Sequence, residues 1–266
     1  MEKAVSRDGT TIAYERVGRG PALVLVSGAL CTHATEAPLA GELADRHTVY
    51  VYDRRGRGES GDTAPCAVAR EVEDLAAVIE AAGGEAGVHG MSSGGALALE
   101  AAASGLPITR VAVYEVPYST APAMRADAGA YTARLGALLA AGDRAGAVEL
   151  FMGRVGVPPQ AVAGMRQSPA WAGLEAVAPT LAYDDAVMGD GRVPAARLAR
   201  IDRPVLVLCG DAGPQWFRDT GRAVAEAVPS GRYGTLGGQD HQVAPAALAP
   251  VLKEFFAGGH MGGTAR

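Results

Sequence analysis

Apolar residues fall into two patterns along the chain. ALVLV at 22–26, TVYVY at 48–52, GVHG at 87–90, ITRVAVYE at 108–115 and PVLVLC at 204–209 are short, nearly continuous runs. Runs of that length predict strands buried on both faces. Between them the spacing changes. Val68, Val72, Leu75 and Ile79 recur at helical intervals from about 67 to 81, PLAGELADR offers a short helix, and Leu248, Val251, Leu252 and Phe255 mark a terminal one. This alternation predicts an α/β fold, with a mostly parallel central sheet flanked by helices. The first twenty residues, with Asp8-Gly9 as a turn, predict an antiparallel hairpin on the sheet edge. From 119 to 199 the strands stop and the tendency is helical, as in AYTARLGALLAAGDRAGAVELFM. The expected organisation is a core of 1–118 and 200–258, an inserted helical cap of 119–199, and a flexible tail of 259–266 that includes His260.

Composition narrows the classes. The chain has 266 residues, 48% apolar and 20% charged, which suits a folded domain with a sizeable core. A net charge of −5 without a basic run argues against a nucleic-acid partner. No run is long enough for a membrane span, and the N-terminus lacks an apolar signal core, so a cytoplasmic location is expected. Cys31, Cys66 and Cys209 are odd in number and widely spaced, unlike a disulfide framework or zinc site. No metal or cofactor is expected, and a small-molecule substrate is the expected partner. Composition leaves the oligomeric state open, a homodimer included.

Chemistry enters with Gly90-Met91-Ser92-Ser93-Gly94. This G-x-S-x-G follows a strand-like run and precedes an Ala-rich helical one, the context such an elbow requires. Small residues two before and two after the nucleophile permit the sharp turn. Met91 breaks that rule for Ser93, so Ser92 is the expected nucleophile. The N–H of Ser93, at a helix start, is one expected oxyanion donor. VSGAL at 26–30 offers the second, from Ala29 or alternatively Gly28.

Strand-SGAL, then YDRRGRGESG at 52–61, then GMSSGG resemble, in order and spacing, the α/β-hydrolase fold family. The likeness covers about 8–118 and 200–256. It implies that Asp53, Arg54 and Arg55 are turn and salt-bridge residues. It also implies a general base in the loop before the last helix, where His241 stands in TLGGQDHQVAP. His47 lies at the wrong end of the sheet and His89 within a strand. His33, just after the oxyanion turn, is a candidate substrate contact.

The acid is less direct. In most of the family it follows the strand corresponding to PVLVLC with the spacing G-x-x-D, but here Gly213 holds that place and Asp211 the earlier one. Some members take the acid from the strand end after the elbow helix. Zearalenone-type lactonases resemble this chain in that respect, with a Glu, an apolar residue and Pro, as in Glu115-Val116-Pro117. A lone carboxylate in an apolar strand end also requires a partner on physical grounds. Glu115 is therefore the expected acid, with Asp211 the alternative and Asp240 directed away from His241. The resemblance implies a serine-dependent hydrolase of a small ester or lactone. The alternatives are a non-hydrolytic lyase or rearrangement enzyme and a hydrolase-like small-ligand receptor. Tyr118, Tyr131, Phe151, Trp171 and Trp216 are candidates for the pocket wall, each with core packing as the competing role.

Overall fold

The structure, a computed structural model, describes residues 1–122 and 127–258. The tail expected at 259–266, with His260, lies outside the described residues. Eight strands form one sheet: β1 (Glu2–Val5), β2 (Thr11–Gly18), β3 (Ala22–Val26), β4 (Thr48–Tyr52), β5 (Ala86–Met91), β6 (Ile108–Tyr114), β7 (Val205–Gly210) and β8 (Gly231–Leu236). Their order is β1-β2-β4-β3-β5-β6-β7-β8. The hairpin β1-β2 is antiparallel, β2 pairs antiparallel with β4, and β3 to β8 run parallel.

Residue alternation assigns the two faces. Val24 and Val26, Val111 and Val113, and Val205 and Val207 point to one side. Leu23 and Leu25, Ala112 and Tyr114, and Leu206 and Leu208 point to the other. The first side is covered by α2 (Val68–Ala81), α3 (Ser93–Ala103) and α10 (Gln215–Ala227). The second is covered by α1 (His33–Leu43) and α11 (Pro245–Phe256). Strands buried on both faces read as continuous apolar runs, which is why their positions were legible.

Helix α1 differs from expectation. It begins at His33, ahead of the predicted PLAGELADR, and carries Pro38 inside it. Asp53 compensates at the start by accepting the His33 N–H at 2.7 Å, which fixes the first turn. Between β6 and β7 stand α4 (Ala128–Ala140), α5 (Arg144–Arg154), α6 (Pro159–Arg166), α7 (Trp171–Val177), α8 (Leu181–Met188) and α9 (Ala195–Leu198). Helices α4 to α8 share a separate apolar cluster around Tyr131, Leu135, Val148 and Leu181, against which Ala29 and Leu30 pack, whereas Leu198 of α9 joins the main core. The insertion therefore sits over the loop that follows β3.

Candidate active site

β5 ends at Met91 and α3 begins at Ser93, so Ser92 alone makes the reversal, with φ 55° and ψ −128°. Its neighbours leave no alternative to small residues. A Cβ on Gly90 would lie 2.4 Å from Gly94 O, and one on Gly94 would lie 2.2 Å from Val26 O. The carbonyl of Ser92 accepts the N–H of Gly95 at 2.9 Å and of Ala96 at 3.3 Å, closing the first turn of α3. The N–H of Ser93 makes no hydrogen bond among the described residues, as expected for a donor at a helix start.

Among the described residues, three non-glycine residues have a positive φ: Leu30 (59°), Ser92 (55°) and Glu115 (45°). Each falls just beyond the C-terminal end of a central strand, β3, β5 or β6. Such conformations cost of order 1–3 kcal/mol each and persist where the surroundings enforce them. Their concentration at one edge of the sheet makes that edge the candidate site.

The unusual backbone of Glu115 turns its side chain out of the β6 ladder. The Ser92 N–H donates to Tyr114 O at 3.0 Å, and the Glu115 N–H to Leu208 O at 2.9 Å, so Ser92 and Glu115 occupy neighbouring strand ends. The carboxylate is 1% exposed and fully engaged. Oε1 accepts the Gly210 N–H at 3.0 Å, and Oε2 lies 2.8 Å from His241 Nδ1. That contact occupies Nδ1 and leaves Nε2 as the ring nitrogen open to a partner. The imidazole also stacks on Phe217, with centroids 5.1 Å apart and planes 12° apart. Phe217 stacks in turn on Trp216 at 3.8 Å. Among the described residues Ser92 Oγ and His241 make no hydrogen bond to each other.

The two places for an acid converge. A Cβ on Gly213 would lie 3.5 Å from Glu115 Oε1. An acidic side chain at 213 and the one at 115 would thus compete for the same space beside His241. Asp211 is exposed and accepts the Gly238 N–H at 2.6 Å, the work of a turn residue. Asp240 accepts the Gln242 N–H at 2.8 Å within its own loop.

The turn after β3 abuts the elbow. A Cβ on Gly28 would be 3.1 Å from Ser92 Cβ and 3.7 Å from its Oγ. The N–H groups of Gly28 and Ala29 make no backbone hydrogen bond among the described residues. His33 Nδ1 is held 3.0 Å from Asp53 Oδ1, and its side chain is 24% exposed beside this turn. Asp53 thus stays structural, also accepting the Glu59 N–H at 2.9 Å.

Some expected residues take other places. Tyr118, 1% exposed, belongs to the main core, and its carbonyl accepts from Thr220 Oγ1 at 3.0 Å. Trp171, 5% exposed, fills the core of the insertion, with Nε1 donating to Glu175 at 2.8 Å. Both rings are buried, Tyr118 in the main core and Trp171 in the cluster that also takes in Ala29 and Leu30. Trp216 is half-buried and reaches the site through Phe217. His89 is buried in β5, where desolvation lowers its pKa to about 4. His47 packs edge-on to Phe256 beside a hollow of about 460 Å³ at the opposite end of the sheet. Burial pushes the Cys66 and Cys209 thiols up to about 12, which makes them poor nucleophiles.

Two features escaped the sequence. Phe217 beneath His241 has no local motif; only an aromatic pair in the helix after β7 hints at it. The second is a buried ionic cluster formed by Arg54, Arg57, Glu71 and Asp184, all under 5% exposed. Asp184 comes from α8, and nothing local in the sequence links it to an arginine more than a hundred residues earlier.

The model of the alpha/beta hydrolase family matches residues 23–262. Among solved structures, an alpha/beta hydrolase from Sphaerobacter thermophilus is 57% identical, with a TM-score of 0.89 over 96% of this chain and 100% of that one. A hydrolase from Pseudomonas aeruginosa is 25% identical, with a TM-score of 0.77 over 96% and 97%. An enol-lactonase from Burkholderia xenovorans shares the fold at 22% identity, with a TM-score of 0.65 over 97% and 98%. From the family match, the parallel sheet and the strained serine turn together, the chain belongs to the alpha/beta hydrolase family.

Proposed function

We propose that this chain is a serine hydrolase that cleaves a small carboxylic ester or lactone through an acyl-enzyme. The observation that carries the reading is the buried Glu115–His241 contact of 2.8 Å on the strand end next to the strained Ser92 turn. His241 Nε2 takes the proton of Ser92 Oγ as Oγ attacks the carbonyl carbon. Glu115 holds the Nδ1–H tautomer and offsets the imidazolium charge. The N–H of Ser93 and of Ala29, with Gly28 as the alternative, receive the oxyanion. The tetrahedral intermediate then collapses, the C–O bond breaks, and His241 returns the proton to the leaving alcohol. Water, deprotonated by His241, attacks the acyl carbon and regenerates Ser92. In a lactone the alcohol remains part of the acyl group, and the second step releases a single hydroxy acid. The helical insertion acts as a cap that bounds the substrate from above.

Hydrolysis of p-nitrophenyl acetate and butyrate, and of small lactones, tests this in the wild type and in Ser92→Ala. Turnover that falls at least about a thousandfold in the variant is expected. Equal rates in the two proteins, or no turnover on any of these substrates, would overturn the reading and favour a non-hydrolytic or binding role.

A further inference from the structure

Behind the elbow, one carboxylate from the insertion touches everything that sets the oxyanion donors. Asp184 Oδ1 accepts from Ser93 Oγ at 2.8 Å and from Arg54 Nη1 at 2.7 Å. Its Oδ2 accepts from Arg57 Nη2 at 2.8 Å. Arg57 continues the chain of contacts: Nη1 donates to Gly28 O at 2.6 Å and to Cys31 O at 3.3 Å, and Nε to Thr180 Oγ1 at 3.1 Å. Arg54 reaches Ser27 O at 3.2 Å and is held by both oxygens of Glu71, at 2.7 and 2.9 Å. Two guanidiniums face two carboxylates, so the cluster is neutral. Burial by itself would raise the Asp184 carboxyl, but Arg57 and Arg54 hold it below its ordinary value.

The geometry of the peptide gives this arrangement a consequence. In a planar trans peptide the C=O and the following N–H point in opposite directions. Arg57 anchors the carbonyl of Gly28, and the N–H on the other side of that peptide belongs to Ala29. Pulling Gly28 O toward Arg57 therefore turns the Ala29 N–H the opposite way. The same carboxylate that holds Arg57 also holds the side chain of Ser93, whose N–H is the other donor. If the anchor were lost, the Gly28–Ala29 peptide would be free to flip and place a carbonyl where a donor is needed.

We propose that Asp184 is a positioning residue that orients both oxyanion donors, Ser93 N–H through the Ser93 side chain and Ala29 N–H through Arg57. This assigns Ala29 rather than Gly28 as the second donor and makes the oxyanion hole depend on the seating of α8. It rests on the hydrolase reading above.

The test compares wild type, Asp184→Asn and Ser93→Ala on p-nitrophenyl butyrate, with thermal unfolding measured alongside. Ser93→Ala keeps the backbone N–H and every buried charge paired, and it decides the matter if Asp184→Asn does not fold. Expected are a kcat lower by about a hundredfold in Asp184→Asn and about tenfold in Ser93→Ala, with KM held within about threefold. Affinity for a trifluoromethyl ketone, which forms an oxyanion on Ser92, should fall in parallel, whereas affinity for 1-butanol, which carries no oxyanion, should not. Unchanged kcat in the folded variants, a change confined to KM, or lower thermal stability alone would overturn the proposal. If the wild type neither turns over nor binds the ketone, the hydrolase reading itself has failed, and this assignment fails with it.

Discussion

Glu115 shows how much a single residue depends on its backbone. An apolar strand end with a lone carboxylate was a legible anomaly, and burial with two hydrogen bonds is its resolution. The gap at Gly213 was equally legible, because a family spacing lacked its acid. Unreadable was the left-handed φ of Glu115, since a positive φ in a glutamate has no sequence signal. If Glu115 serves His241, Glu115→Gln keeps the shape but loses the charge. Its kcat on p-nitrophenyl butyrate should fall by about 10³–10⁴, while Asp211→Asn stays near wild type. The reverse ranking would return the acid to the loop after β7. Glu36 supports a second prediction at this scale. It is 6% exposed in α1, and desolvation raises its pKa to about 7 from 4.5. Between those values the unfolded chain releases its proton while the folded one retains it, so the contribution to stability is complete below about 4.5 and is lost as pH rises to about 7. The loss is about 3 kcal/mol at most. Denaturant melts of wild type and Glu36→Gln from pH 5 to 8 should show that decline flattened in the variant. Parallel profiles would contradict it.

At the scale of elements, β3 to β7 were read to within a residue because burial on both faces makes them apolar throughout. β3 and β4 fall on the predicted runs. Helix α1 was misplaced because its start is fixed by Asp53, a contact between distant segments, and not by a local cap. The motif YDRRGRGESG was legible as a structural turn. Its depth was not, because Arg54, Arg55 and Arg57 are each at most 1% exposed and paired with carboxylates from other elements. The seating of α3 against β3 is similarly strict. Gly94→Ala would drive a methyl into Val26 O and Ser27 O, at 2.2 and 2.5 Å. It should cost more than about 3 kcal/mol in denaturant unfolding, near the upper range for single substitutions. Gly136→Ala in α4, where nothing lies within 4 Å, should instead be neutral or stabilising by up to about 1 kcal/mol. A tolerant Gly94→Ala would mean that α3 has room to shift and that the elbow is less constrained than its contacts imply.

For the molecule as a whole, the sheet brings strand ends from positions 26, 91, 114 and 210 to one edge, and the reading of function follows from what stands there. Order of motifs along the chain was enough to single out Ser92 and His241 as candidates. Long-range side-chain contacts were not legible: the insertion's link to the elbow through Asp184, and the ring of Phe217 under His241, exist only after folding. The proposed reaction passes through a covalent bond at one oxygen, Ser92 Oγ. Wild-type protein mixed with p-nitrophenyl butyrate, acid-quenched within the first turnover and mapped by peptide mass should carry one butyryl group on the peptide containing Ser92, absent in Ser92→Ala. A butyryl group on any other residue, or product formed at full rate with no trapped acyl group and no dependence on Ser92, would contradict it.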